Sequence, residues 1–219
     1  MAVAMRRLAP VAHVPLVLGV LRQLEVAQLI DTMIPPNPAH VLASGRGVEA
    51  LVLAILDGHH ALSKVGRRVD ERGMLPLLQP GLQATSVHEA RLGQMLDALF
   101  AAPLHQVLSV LALKALETSA IATPWLHQDT TTISLSGAYD DVGTASEAPR
   151  PTYGHNKDGR GDLKQVLVSL GVSGDGGLPL RMGLRDGNPS ESVEVPHAIT
   201  ERLALGLGGF KGIVADAKA

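Results

Sequence analysis

LKQVLVSLGVSGDGGLPLRMGLR, residues 163 to 185, decides what the second half of this chain builds. Its first ten residues are apolar at odd and even positions alike, the composition of a strand with neighbours on both sides. SGDGG, residues 173 to 177, is a tight-turn sequence. Beyond it Leu178, Leu180, Met182 and Leu184 alternate with Pro179, Arg181, Gly183 and Arg185, which predicts an edge strand with its polar residues on the opposite face. The segment therefore reads as an antiparallel hairpin.

Working backwards, WLHQDTTTISL, residues 125 to 135, is rich in β-branched residues. As a strand it sets Trp125, Asp129, Thr131, Ile133 and Leu135 on one face, with His127 among them. Working forwards, DGNPSES, residues 186 to 192, predicts the start of a short helix running to about Gly206, with Ser190 or Ser192 as N-cap. GIVAD, residues 212 to 216, is apolar enough for a buried strand after a crossover. The order is strand, strand, strand, helix, strand. A right-handed crossover sets the fourth strand parallel to the first, and two aspartates far apart in sequence, Asp129 and Asp216, then become neighbours. Carboxylate oxygens on adjacent strands, about 4.8 Å apart, reach a common hard cation, Mg²⁺ or Mn²⁺. Such ions serve phosphoryl transfer.

Upstream the period is helical. Val17, Val20, Leu21, Leu24 and Ala27 form one stripe that closes at the Pro-rich residues 34 to 38, and Val48, Leu51, Val52, Ile55, His59 and Leu62 form a second. Ser86 and Glu89 stand at capping-box spacing ahead of Leu92, Met95, Leu96 and Leu99. After Pro103 apolar residues from Leu104 to Leu116 cover two faces, predicting a largely buried helix. The expectation is an α+β chain, with a helical domain over residues 1–122 and a sheet domain over 123–219.

Composition narrows the function. With 46% hydrophobic residues the chain has the material for a packed core. At 2% aromatic it lacks the stacking platforms of a single-strand nucleic-acid binder. Without Cys there are no disulfides and no thiolate metal sites. A net charge of −2 supplies no global positive field, so any DNA contact must come from local clusters. Lys157, Arg160 and Lys164 form one such cluster, interleaved with Asp158 and Asp162, and Lys64, Arg67, Arg68 and Arg72 form another. No uninterrupted apolar run reaches membrane-spanning length, and Pro10, His13 and Pro15 interrupt the signal-like start, so the expected location is cytoplasmic.

HQDTTTISLSG, YGHNKDGRGDLKQVLVSLGVSGDGGLPLRMGLRDGN and GIVADA together resemble the catalytic domain of DDE-type transposases of bacterial insertion sequences, whose fold is RNase H-like. Residues 11 to 62 similarly resemble the helical domain of unknown function that precedes it in that family. The resemblance implies Mg²⁺- or Mn²⁺-dependent cleavage and strand transfer of DNA, with transposon ends, an intact transposase or further copies of the chain as partners. Asp129 and Asp216 become the first and second acidic residues of the triad. The family's third, a Glu, lies well downstream of the second, so the resemblance implies a C-terminally truncated chain, inactive in strand transfer. The alternative function is a non-catalytic remnant that binds DNA ends or intact transposase as a regulator or inhibitor.

Overall fold

The computed structural model describes residues 13–58, 61–102, 104–139, 148–154, 159–187, 194–204, 206 and 208–215. Helices come first and strands second, with four strands and eight α-helices among the described residues. Two compact units divide between Leu111 and Ala112.

The first unit is helical. Helix α1, Val14–Gln23, and α2, Val26–Met33, are separate, although the apolar stripe from Val17 to Ala27 reads as one helix. The break is Glu25, whose φ of 53° is left-handed and interrupts a right-handed helix without disturbing the apolar spacing. Helix α3, Ser44–Leu56, is central. Its buried side is Gly47, Glu49, Ala50, Leu53 and Ala54, while Ile55, expected in the apolar stripe, is exposed. Small residues allow the close approach that bulky ones would block: a Cβ on Gly45 would stand 2.2 Å from the Ala27 carbonyl oxygen. Asp31 of α2 accepts the Gly45 N–H at 2.7 Å, satisfying an orphan donor at the α3 N-terminus. Buried Arg91 donates to the Leu42 carbonyl at 3.0 Å and to Ser44 Oγ at 3.4 Å.

Helix α4, Leu62–Glu71, buries Val65, Gly66 and Val69 and turns its basic residues outward. Arg68 and Arg72 both bond Asp57, Arg72 Nη2 at 2.9 Å. Helix α5, Leu75–Leu78, is one turn, and α6 spans Glu89–Ala101. The N-cap of α6 is His88, whose Nδ1 accepts the Arg91 N–H at 3.2 Å, while Ser86 lies in a 3-10 turn. The imidazole thus replaces the expected Ser86 hydroxyl. Leu18, Leu42, Leu53, Val69, Met74, Leu92 and Met95 make the core. Each fully buried aliphatic side chain contributes about 1.5–3 kcal/mol by leaving water. Helix α7, Leu104–Ser119, supplies Val107 to a second cluster with Val26 and Ile30.

In the second unit, β1, Trp125–Leu135, pairs antiparallel with β2, Lys164–Ser173, which pairs antiparallel with β3, Pro179–Asp186. The chain passes through α8, Glu194–Ala204, into β4, Gly212–Ala215, which lies parallel to β1. The spatial order is β3-β2-β1-β4. This is the strand order and sense expected from the sequence. The β2–β3 turn uses Gly176 at φ 70° and Gly177 at φ 61°, two successive left-handed positions suited to glycine. Ser173 Oγ accepts the Leu178 N–H at 2.8 Å. One sheet face is covered: Leu126, Leu180 and Ala198 pack with Ala112 and Leu116 from the end of α7.

Candidate functional site

Along β1 the odd residues Trp125, His127, Asp129, Thr131 and Ile133 are exposed, while Leu126, Gln128 and Thr130 are buried. Asp129 lies opposite Leu170 of β2, and Leu170 opposite Met182 of β3. His127 lies between Val172 of β2 and Val214 of β4. His127, Asp129, Thr131, Val168, Leu170 and Val214 line an open depression of about 350 Å³ on this face. Asp129 Oδ1 accepts the Thr130 N–H at 2.7 Å, which fixes one side of the carboxylate.

The parallel pairing of β4 with β1 ends at Gln128↔Ala215, one residue short of Asp129 on one strand and of position 216 on the other. Asp216 itself lies outside the described residues. Among the described residues no group of three His, Asp or Glu could hold a metal ion, and of the expected pair only Asp129 is described. Asp129 is an exposed oxygen donor of the type that Mg²⁺ takes, one or two carboxylates being combined with water and substrate phosphate, while the depression around it is lined mainly by Val168, Leu170, Val172 and Val214.

Lys157 also lies outside the described residues. Arg160 donates from Nε and Nη2 to the two oxygens of Asp162, each at 2.8 Å. That bond holds the Asp162 carboxyl below the usual carboxylate range and the Arg160 guanidinium above its usual value. Lys164 bonds the Ala138 carbonyl and lies 5.9 Å from the Tyr153 ring centre. Arg160 and Lys164 each have a partner within the protein.

Directly behind Asp129, on the covered face, sits a polar network that sequence reasoning missed. Gln128 donates to Ser169 Oγ at 2.7 Å and to the Asp129 carbonyl at 3.2 Å. Arg181, only 4% exposed, donates from Nη1 to Ser169 Oγ at 2.6 Å and to Gln128 Oε1 at 3.3 Å, and from Nε to Glu201 of α8 at 2.6 Å. Gln128 and Thr130 flanking Asp129 at even positions were the available signal, because polar residues on a covered face require buried partners.

Compared with protein-family models, residues 6–113 match a domain of unknown function, DUF4277. No curated protein matches the chain significantly. Neither does any solved structure.

Proposed function

We propose that the chain belongs to the DDE transposase lineage, with an RNase H-like sheet whose Asp129 and Asp216 are the first two acidic residues of a site acting on DNA phosphodiesters in the cytoplasm. The observation that carries this reading is the parallel β1–β4 pairing, which runs up to the residue before each aspartate. Asp129 and Asp216 would hold Mg²⁺ or Mn²⁺. The bound ion supplies charge neutralisation at the attacking and leaving oxygens of a phosphodiester. Asp129 contributes a carboxylate oriented by the Thr130 N–H, on a strand braced from behind by Gln128 and Arg181. Residues 1–219 are expected to bind the ion weakly, through these two carboxylates.

A second reading is a module that binds transposon ends or an intact transposase without catalysis. The observation favouring it is that the family match is confined to the helical part, residues 6–113, which forms its own compact unit with its own core. Mn²⁺ titration followed by electron paramagnetic resonance tests the first reading. Weak binding should be lost in both Asp129→Asn and Asp216→Asn, and binding indifferent to either substitution would overturn it. A gel shift on terminal-repeat DNA at fixed salt tests the second, for which no shift is the adverse result.

A further inference from the structure

The sequence holds four Asp-Gly pairs: Asp57–Gly58, Asp158–Gly159, Asp175–Gly176 and Asp186–Gly187. Each is open in principle to one intramolecular reaction, because glycine has no side chain to shield its nitrogen or to restrict the rotation that brings that nitrogen onto the preceding carboxyl carbon. The reaction needs an unbonded carboxyl group, an amide nitrogen without a hydrogen bond and a backbone free to turn. The fold decides which pair keeps all three. Asp57 loses the first two: its side chain is 7% exposed and ion-paired with Arg68 and Arg72, and the Gly58 N–H donates to the Ile55 carbonyl at 3.0 Å. Asp186 is fixed in another way, opposite Val166 at the end of β3, with its Oδ1 accepting the Arg150 N–H at 2.8 Å. Its neighbour Gly187 is wedged, since a Cβ there would stand 2.1 Å from the Gln165 carbonyl oxygen, and the Gly187 carbonyl accepts from Gln165 Nε2 at 2.7 Å. Asp158 lies outside the described residues. Asp175 and Gly176 are both exposed in the turn between β2 and β3, with Gly176 at φ 70°. Among the described residues neither the Asp175 carboxylate nor the Gly176 N–H has a hydrogen-bond or ion-pair partner. The Ser173 hydroxyl bonds the Asp175 carbonyl, which leaves the carboxylate itself in water.

We propose that Asp175 is a site of spontaneous backbone modification, the member of the three described pairs that converts to isoaspartate while the protein is folded. The Gly176 nitrogen attacks Cγ of Asp175 in its carboxylic acid form. The N–Cγ bond forms, the Cγ–OH bond breaks, and the hydroxyl leaves with the amide proton as water. A second water then opens the cyclic imide. Opening at Cγ restores aspartate, whereas opening at the former main-chain carbonyl carbon routes the backbone through Cβ and Cγ and leaves that carbonyl as a free carboxylate. Water is the only co-reactant. The product lengthens the β2–β3 turn by one methylene and turns the acceptor of the Ser173 hydroxyl into an exposed carboxylate, the group on which a carboxyl methyltransferase acts. The inference stands on this turn alone and does not rest on the transposase reading.

Incubation of the 219-residue chain in warm, mildly acidic H₂¹⁸O, followed by tryptic mapping in ordinary water, tests it. Each imide opening leaves one ¹⁸O atom in the residue, and Asp57, Asp175 and Asp186 fall in separate peptides, residues 47–64, 165–181 and 186–202. In the folded chain Asp175 should take up label about tenfold or more faster than Asp57 and Asp186, which react only through local opening. Fragment spectra of residues 165–181 should show the isoaspartyl linkage at position 175. In urea the three rates should converge, because the fold no longer separates three identical dipeptides. Asp175→Glu should remove the label from residues 165–181 and leave the far-ultraviolet circular dichroism unchanged. Equal labelling of the three pairs in the folded chain would overturn the proposal. Absence of isoaspartate at residue 175, or label in residues 165–181 that survives Asp175→Glu, counts against it equally.

Discussion

Asp57 shows how far a single carboxylate can organise a helix surface. Two of the four basic residues that read as a DNA-facing run, Arg68 and Arg72, converge on it. Burial acts to raise the Asp57 carboxyl, but the hydrogen bonds and charges of both guanidinium groups outweigh it and hold the group below its ordinary value of 3.8. A depressed folded-state value means the stabilisation is complete above 3.8 and is lost as pH falls through the folded value. Asp57→Asn should cost about 1–3 kcal/mol at neutral pH by urea denaturation. The gap from wild type should close below pH 3.8. Position along the chain could not reveal this clamp, because Asp57 belongs to the turn after α3 and its partners to α4. Asp129 was legible: β-branched neighbours and period-two alternation fix a strand and the side on which its carboxylate stands. Gln128 and Arg181 were not, since their roles come from what covers the sheet.

At the scale of elements, β3 is the instructive case. Its alternation set the leucines and Met182 on one face and both arginines on the other, and the strand is indeed at the sheet edge. Which face is covered runs against composition over most of it: Arg181 is buried, while Met182 and Leu184 are exposed. A register shift at Gly171 and Val172 accompanies the change, leaving Leu180 and Arg181 buried consecutively. Arg181 can be buried because Glu201 of α8 meets its guanidinium, a pairing no strand pattern contains. Helix α4 gives a sharper test. A Cβ on Gly66 would lie 2.1 Å from the Val87 carbonyl oxygen, so α4 rests directly on the backbone at the end of the 3-10 turn that precedes α6. Gly66→Ala improves helix propensity yet should destabilise the protein by about 2 kcal/mol or more in thermal or chemical melts, because backbone cannot step aside as a side chain can.

For the whole molecule, the broad plan of helices first and strands second was legible from the change of period near residue 123. The contact division between Leu111 and Ala112 was not, because a long apolar helix gives no sign that Val107 serves one core and Leu116 another. Separate cores predict separable stability. Leu53, fully buried in the helical unit, should cost about 2–5 kcal/mol when replaced by Ala. Hydrogen exchange should then quicken across α3, α4 and α6 and stay unchanged for the β1–β2 amides. Equal acceleration in both units would show one cooperative block. No single helix among the described residues is long and apolar enough to cross a membrane. Three glycines carry the last consequence. At Gly45, Gly66 and Gly187 any side chain would enter a carbonyl oxygen of a neighbouring segment, at 2.1 to 2.2 Å. Chains that inherit this architecture must keep all three even after their remaining residues have drifted, so this spaced trio is a fingerprint by which remote kin can be gathered when overall identity has faded.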